Sequence, residues 1–390
     1  MPDLGSAGFD AVTRASALRG DVARLAAEGV RLRRLSPELV ELLRGSGLFR
    51  MLVPREIGGH EVAPQVLVDA IEAVAESDAG TAWCMMIGAT TGLTAALLDP
   101  QAAKEIFADP GVITGGVFAP DGRAEDEGDH YRVTGAWRWA TGNTHATWMA
   151  GGCLVMGPDG PRMGANGVPE NRMLFWRTQD CTLTDTWNTI GLEATGSYDM
   201  AVRDLRVPKA RSVSLMTDRP WASGALYRFP SFGCLAIGIA GVALGNARAA
   251  LRDLADLSGA KRPKGSRKTL GEKAYAQRDF AIAQARLSAA RAYLREAIDA
   301  AWQDALAARE VTGQARAAIR LAAAHATRES LFAAQTAFDL GGGSAVYLDS
   351  PLPRRLRDAQ VACQHMMVGH PVYEAAGRVF MGQPALDPSF

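Results

Sequence analysis

The sequence lacks the features that mark several large classes of protein. Its 42 basic and 42 acidic side chains leave no net charge, so it has no overall attraction for nucleic acid or an anionic membrane. No run of about 18 apolar residues is free of charge, so no transmembrane helix is expected. The first nine residues contain Asp3 and lack the basic and apolar segments of a signal peptide. We expect a chain without nucleic-acid or membrane partners.

Cysteine is scarce and unpatterned. The five cysteines are an odd number, lie far apart and form no CxxC pair: Cys84, Cys153, Cys181, Cys234 and Cys363. This spacing argues against a disulfide framework and against a structural zinc site. The interpretation that remains is a set of free thiols that behave as small buried apolar side chains in a reducing cytoplasm, with no metal site.

The overall composition, 48% hydrophobic and 22% charged residues, is typical of a globular protein with a sizeable core.

The first part of the chain, from about residue 9 to residue 108, is predicted to be helical. Ser36 followed by Pro37 is a helix start, because serine caps a helix and proline fits its first turn. Leu67, Ile71 and Val74 repeat at helical spacing.

Between about residue 112 and residue 212, the spacing of apolar residues changes from a helical to a β-strand pattern. Residues 131–137 alternate between apolar and polar and are bounded by turn residues, which predicts a strand. Further short β-type runs cover residues 173–178, 181–187 and 198–207. Strands at this spacing predict a small β-barrel or sandwich.

From about 228 to 382 the chain is alanine-rich and has few helix breakers. Four long helical segments are predicted, covering residues 240–257, 273–308, 314–340 and 353–382. The predicted fold class is therefore α+β and mainly α. It comprises a helical domain over 1–111, a central β domain over 112–212 and a C-terminal four-helix bundle over 213–390.

Four motifs carry a resemblance along nearly the whole chain: VPREIGG at 53–59, YRVTGAWRWAT at 131–141, GLEATGS at 191–197, and AFDLGGGSAVYLDSPLPRRLRD at 337–358. Each resembles a motif of the acyl-CoA dehydrogenases, and the order of helical, β and helical parts is theirs too. The chain is identified as a member of that superfamily, which implies a flavin enzyme that assembles as a homotetramer.

The resemblance assigns flavin contacts in the central domain. Trp139 corresponds to a tryptophan beside the isoalloxazine ring, and Thr141 to a hydroxyl that bonds flavin N5, a position where the family needs a group that both donates and accepts. Phe118 and Ala119 lie in the segment 117–122, which is expected along the other edge of the ring. Without the resemblance, Trp139 would be interpreted as a core aromatic and Thr141 as a turn residue.

The far end of the flavin is assigned in the bundle. Gly341, Gly342 and Gly343 stand between two helices, where glycine permits a close backbone approach to a ligand. The resemblance implies that they lie against the dinucleotide half of a flavin from a neighbouring subunit. It also implies that Arg267, in the basic run 261–268, contacts flavin phosphates, with Gln277 near the same site. The alternatives are a plain helix–helix turn and a solvated charged loop.

The base of an acyl-CoA dehydrogenase is missing. Such an enzyme needs a glutamate that removes the substrate's α-proton. At the family's two positions for it, this chain has His365–Met366 and the acid-free run 230–235. The nearest downstream acid is Glu374.

His365, eight residues after Arg357, instead resembles the histidine of the two-component flavin monooxygenases built on this fold. Those enzymes take reduced flavin, FMN or FAD, from a separate reductase and transfer oxygen from a flavin C4a-hydroperoxide to a small substrate, with aromatic compounds among the candidates. The resemblance makes His365 the catalytic residue, since an imidazole can hold or move a proton. The alternative is a packed helix histidine.

Two departures mark this chain within the branch. Residues 89–94 contain no second histidine, and Thr141 replaces the usual serine. The leading hypothesis is a reduced-flavin monooxygenase. An acyl-CoA dehydrogenase-type FAD flavoprotein and an inactive scaffold with a flavin-enzyme fold remain as alternatives.

Overall fold

The computed structural model describes residues 9–164, 167–386 and 390. The expectation about a signal peptide therefore falls largely on residues outside the described part. The N-terminal part of the chain is helical: α1 Ala11–Ala17, α2 Arg19–Leu32, α3 Pro37–Ser46, α4 Pro64–Ala75, α5 Ala79–Gly92 and α6 Pro100–Ile106. Ser36 caps α3 as predicted, because its hydroxyl accepts the Leu39 N–H and Pro37 takes the first turn. Helix α5 is buried on nearly all sides and forms the centre of the protein.

The central part forms one mixed sheet: β1 Thr114–Asp126, β2 His130–Trp137, β3 Trp148–Gly157, β4 Gly160–Pro161, β5 Asn171–Arg177, β6 Thr182–Thr184, β7 Asp199–Pro208 and β8 Ser212–Val213. The strand order is β6-β7-β2-β1-β3-β5-β8, and β4 pairs with β3. Only the β1–β3 pair is parallel among the described strands. The expected strand over 131–137 is confirmed, whereas the run expected over 181–187 shortens to three residues.

Strand β1 leaves the ladder for four residues. Val117 pairs with Gly151 and Gly122 with Cys153, so residues 118–121 have no partner on β3. The displaced backbone crosses close to β3, since a Cβ atom at Gly152 would lie 2.1 Å from the Phe118 carbonyl oxygen. Such a bulge changes the direction in which its side chains point. Phe118 thereby reaches the first helix of the bundle, where its ring packs edge-on against Phe232 at 4.7 Å.

The described residues of the C-terminal part form five α-helices: α7 Ser231–Ala260, α8 Ala274–Leu306, α9 Gly313–Gly341, α10 Leu352–Ala362 and α11 Pro371–Phe380. The single helix predicted over 353–382 is wrong. It ends at Ala362 and resumes at Pro371, because proline has no N–H to donate and suits only the first turn of a new helix. His365 therefore lies in a turn rather than within a helix.

Helix α7 is long and apolar enough to span a membrane by length and composition, and 89% of its most apolar window is buried inside the protein. That burial is what a core helix of the bundle requires. The predicted mainly helical fold with a central β part and a helical C-terminal part is confirmed by the observed order of elements. The domain limits at residues 111 and 212 stay predictions.

Candidate active site

His365 lies in the turn between α10 and α11. Its Nδ1 accepts the backbone N–H of Met367 at 3.2 Å, so in the neutral ring the proton is on Nε2. The ring packs against the indole of Trp83 on α5, with 5.7 Å between ring centroids. The turn thus fixes both the orientation and the tautomer of His365.

Trp83 connects His365 to Thr141. The indole Nε1 donates to the Thr141 hydroxyl at 3.3 Å, and that hydroxyl shares a hydrogen bond of 2.7 Å with Ser197. Ser197 in turn bonds Thr195 at 2.9 Å. We name this set, from His365 through Trp83 and Thr141 to Ser197, the His365–Thr141 cluster. It brings together the predicted catalytic residue and a predicted flavin contact that are more than 200 positions apart.

The charge state of His365 follows from its surroundings. Burial, and secondarily the positive charge of Arg320 on α9, lower the pKa of His365 to about 4. The ring is therefore neutral at physiological pH. A neutral ring whose Nδ1 is already occupied can donate a hydrogen bond from Nε2 to an oxygen atom.

Trp139 and Thr141 point in different directions. Trp139 has a left-handed backbone, with φ of 60°, and its side chain is 70% exposed, whereas Thr141 is buried. The interpretation of Trp139 as a core aromatic is therefore wrong. A left-handed backbone is unusual for a bulky residue and is found where function constrains a site. The Thr141 N–H donates to the Trp139 carbonyl at 2.8 Å, which holds this tight turn.

These residues fit an isoalloxazine ring by the chemistry of their groups. Trp139 offers an exposed flat face, Thr141 a hydroxyl, and the bulge at 118–121 offers backbone groups outside the β1–β3 ladder. Phe118 and Ala119, both partly buried, belong to that bulge. Bound reduced flavin would supply the activation of oxygen, and the protein would supply orientation and proton handling.

The bundle holds a second group of predicted residues. The Lys261 ammonium donates to the Gly341 carbonyl, and to the Ser344 hydroxyl at 3.2 Å, so the basic loop and the glycine turn are in contact. Gly342 has a φ of 49° and is exposed together with Gly343, and Arg267 extends into solvent. A neighbouring cavity of about 270 Å³ is lined in part by Gln277. Within the described residues, no hydrogen bond, ion pair or ring contact joins this group to the His365–Thr141 cluster.

Two small cavities meet at the start of α7; the first lies between α5, the sheet and α7, and the second between α7 and α9. One, of about 70 Å³, is lined by Phe118, by Phe232 and by three threonines of the segment that begins in α5, at positions 90, 91 and 94. The other, of about 90 Å³, shares Leu215, Ser231 and Phe232 with the first and is also lined by Arg316 and Arg320. No aspartate or glutamate among the described residues lines either cavity.

Two carboxylates, Glu76 and Glu374, are candidates for a displaced base, and neither lines the cavities. Glu76 is ion-paired with Arg252 at 2.9 Å, and Glu374 is exposed on α11, beyond the break at Pro371. Among the residues that the structure describes, the site therefore offers an imidazole and hydroxyl groups, but none of the carboxylates that α-proton removal from a thioester requires.

Comparison with known proteins agrees with this chemistry. The family described as "Acyl-CoA dehydrogenase, C-terminal domain" matches residues 237–370. The indole-3-acetate monooxygenase of Pseudomonas putida is 31% identical over 368 residues, which cover 94% of this chain and 92% of that protein. The chain belongs to the flavin-dependent monooxygenases of the acyl-CoA dehydrogenase fold.

Solved structures of this monooxygenase family superimpose over nearly all of this chain. XiaF from Streptomyces sp., in complex with FADH2 and glycerol, has a TM-score of 0.89 at 25% identity and covers 97% of each chain. The HsaA monooxygenase from M. tuberculosis has the same TM-score and identity and covers 98% of this chain and 99% of its own. The predicted monooxygenase activity with reduced flavin as cofactor is confirmed, and membership of such a two-component system implies a partner reductase and a small-molecule substrate.

Sequence reasoning missed two members of the cluster. Trp83 lies outside the four motifs that carry the resemblance, and Ser197 ends GLEATGS, which indicated only the family. A tryptophan within an apolar helix is normally interpreted as a core residue. Its neighbours in the sequence give no sign that its Nε1 will donate to a hydroxyl 58 residues away.

We expect Trp139→Ala to weaken the binding of reduced flavin by roughly 3- to 10-fold, because an exposed aromatic face that stacks on the ring is lost. Anaerobic equilibrium dialysis with FADH2 or reduced FMN measures the affinity. Phe380→Ala, which removes a half-exposed aromatic from α11, is the matched control and should leave affinity unchanged. Equal affinity of Trp139→Ala and wild type would remove Trp139 from the flavin site.

Proposed function

We propose that this monooxygenase hydroxylates a small aromatic compound in the cavities beside Phe118 and Phe232, with His365 as its catalytic residue. The observation that supports this most strongly is the His365–Thr141 cluster. In it, Trp83 packs against the neutral imidazole of His365 and donates a hydrogen bond to Thr141, the hydroxyl expected at the flavin. The relatives support an aromatic substrate, since they include an indole-3-acetate monooxygenase and a resorcinol hydroxylase.

Each residue of the cluster has a distinct proposed task. His365 Nε2–H donates to the oxygen that is being transferred or to the substrate oxygen, and Met367 keeps the ring in that tautomer. Thr141 bonds the flavin ring, while Ser197 and Trp83 hold its hydroxyl in place. Trp139 covers one face of the ring, and Phe118 and Ala119 border its edge.

The assembly and the cofactor's far end belong to the same proposal. The glycine turn 341–343 and Arg267 would bind the phosphate or adenine end of a flavin whose ring lies in another subunit, which favours a homotetramer and FAD over FMN. Lys261, in the same basic loop as Arg267, contacts the glycine turn at Gly341. This contact lies away from the His365–Thr141 cluster, which supports the arrangement. The five free cysteines, four of them buried, support a cytoplasmic location.

The test supplies chemically reduced FADH2 or FMN under nitrogen and then admits ¹⁸O₂ with indole-3-acetate or resorcinol. One labelled oxygen should enter the product and the other should leave as water, while reduced flavin is oxidised. Butyryl-CoA should not bleach enzyme-bound oxidised FAD, because the described residues that line the cavities include no carboxylate to take the α-proton. Rapid bleaching without oxygen insertion would instead identify a dehydrogenase, and turnover of neither substrate would favour the inactive scaffold.

A further inference from the structure

Helix α10, which leads into the turn of His365, carries two charged residues that are largely withdrawn from solvent. Asp358 is 4% exposed and Arg354 is partly buried, and 3.8 Å separates the Arg354 Nε from the Asp358 carboxylate. A carboxylate buried to this extent needs hydrogen-bond donors or an opposite charge as partners. The contacts of these two residues therefore show which segments α10 holds in place.

Asp358 holds the segment that ends in Ser197. Its carboxylate accepts the Leu192 N–H at 2.6 Å. Leu192 has a left-handed backbone, with φ of 50°, which is uncommon for a residue other than glycine and persists only where contacts maintain it. At the other end of the segment, the Ser197 hydroxyl shares a hydrogen bond of 2.7 Å with Thr141. Asp358 thus anchors the start of a segment whose end fixes the Thr141 hydroxyl.

Arg354 holds the start of α5, the helix that carries Trp83. Its guanidinium donates a hydrogen bond to one oxygen of Asp78, whose side chain is 1% exposed. The other oxygen of this carboxylate caps α5, because it accepts the Thr81 N–H at 2.8 Å and the Thr81 hydroxyl at 2.6 Å. The cap determines where α5 begins, and so where the indole of Trp83 meets Thr141.

Arg354 and Asp358 together link the three segments that carry the His365–Thr141 cluster: 191–197, the start of α5, and the turn after α10. Neither residue lines the two cavities, so a part in the reaction must be indirect. Resting on the proposed function, in which this cluster is the site of reaction, we propose that Arg354 and Asp358 are positioning residues. They keep the imidazole, the indole and the two hydroxyls of the cluster at fixed distances while oxygen is transferred.

Asp358→Ala removes the acceptor of the Leu192 N–H. It should lower kcat for hydroxylation by roughly 10- to 100-fold, the effect of a displacement of about 1 Å near reacting groups, and leave KM within about threefold. Product and peroxide are measured per flavin oxidised and per folded, flavin-loaded site, so that a loss of folded protein alone does not register. Asp358→Asn keeps an oxygen that accepts the same N–H and should recover most of the rate.

Arg354→Met removes the hydrogen bond to Asp78 and also covers the case in which Asp358→Ala does not fold. Because both residues act in one network, the double variant should lose much less than the product of the two separate factors. Asp253→Ala is the matched control. Asp253 is a partly buried carboxylate that pairs with Arg355 of α10 at 3.2 Å, but it joins α10 to α7 rather than to the cluster. Its variant should hydroxylate at the wild-type rate per folded site.

Hydrogen–deuterium exchange, read by mass spectrometry, tests the links without any substrate. Exchange should accelerate over 191–197 in Asp358→Ala and over the first turns of α5 in Arg354→Met, and stay unchanged over β3. Unchanged exchange in both variants, multiplicative losses in the double variant, or wild-type coupling per folded site in Asp358→Ala would overturn the positioning role and leave the proposed function intact. Accelerated exchange in a protein whose wild type hydroxylates no aromatic compound would uphold the links and overturn the proposed function instead.

Discussion

Replacing His365 with alanine should lower the rate of substrate hydroxylation by roughly 10²- to 10⁴-fold, the usual contribution of a positioned proton donor or acceptor. The affinity for reduced flavin should stay within about twofold, because the assigned flavin contacts are Trp139, Thr141 and the bulge at 118–121. With Nε2 removed, reduced flavin would still react with oxygen but release peroxide instead of transferring the oxygen. Product and peroxide, measured together per flavin oxidised, report this change.

The chain provides a close control. His370 lies five residues later in the same turn and is exposed, so His370→Ala should keep full coupling between flavin oxidation and hydroxylation. His365→Asn retains a side-chain N–H donor and should recover part of the coupling that His365→Ala loses. If His365→Ala hydroxylates at more than about a tenth of the wild-type rate, His365 is a packing residue and proton handling must be assigned elsewhere.

The lowered pKa of His365 adds a pH dependence with a definite sign. In the unfolded chain the imidazole takes up a proton near its ordinary pKa of 6.5, whereas in the folded protein it does so only near 4. Between these values the unfolded state binds more protons, so the folded protein loses stability as the pH falls from 6.5 to 4. His365→Ala removes this contribution and should therefore lose less stability than the wild type between pH 7 and pH 5.

The sequence predicted the order of parts because each part has its own local periodicity. The caps of α3 and the alternation of β2 are properties of consecutive residues, and both are found where expected. The break between α10 and α11 was missed, although Gly369 and Pro371 are its local signs, since the alanine-rich flanks dominate the helical pattern. The turn matters for function because it carries His365.

The site depends on contacts that no local pattern encodes. Two of the four motifs, GLEATGS and the run that ends at Asp358, contact each other in the fold. The Leu192 N–H donates to Asp358 at 2.6 Å, and a Cβ atom at Gly191 would lie 2.4 Å from the Arg357 carbonyl oxygen. Glycine is required there by this close approach. The orientation of Trp139 and the burial of Arg320 likewise follow from packing between distant segments, so only the family resemblance could point to the former and nothing pointed to the latter.

Glu76→Ala should destabilise the protein by about 3–5 kcal/mol, the usual effect of removing one partner from a buried ion-pair cluster. Glu76 follows α4, and its side chain is 8% exposed. It pairs with Arg19 at 2.5 Å, with Arg248 at 3.1 Å and with Arg252 at 2.9 Å, so it joins the N-terminal helices to α7. Without it, three guanidinium groups would repel one another across that junction. Denaturant unfolding measures the loss, and Glu28→Ala, which removes a surface pair with Arg31, should cost less than about 1 kcal/mol.

Glu76→Ala also tests whether Glu76 has only a structural role or takes part in the reaction. If Glu76 serves only the junction between α4 and α7, the folded fraction of Glu76→Ala should hydroxylate at the wild-type rate per bound flavin. A loss of activity that exceeds the loss of folded protein would make Glu76 part of the reaction and reopen the possibility of a carboxylate base. A loss of stability below about 1 kcal/mol would show that water screens the cluster as it does a surface pair, because the three arginines are each 42–47% exposed.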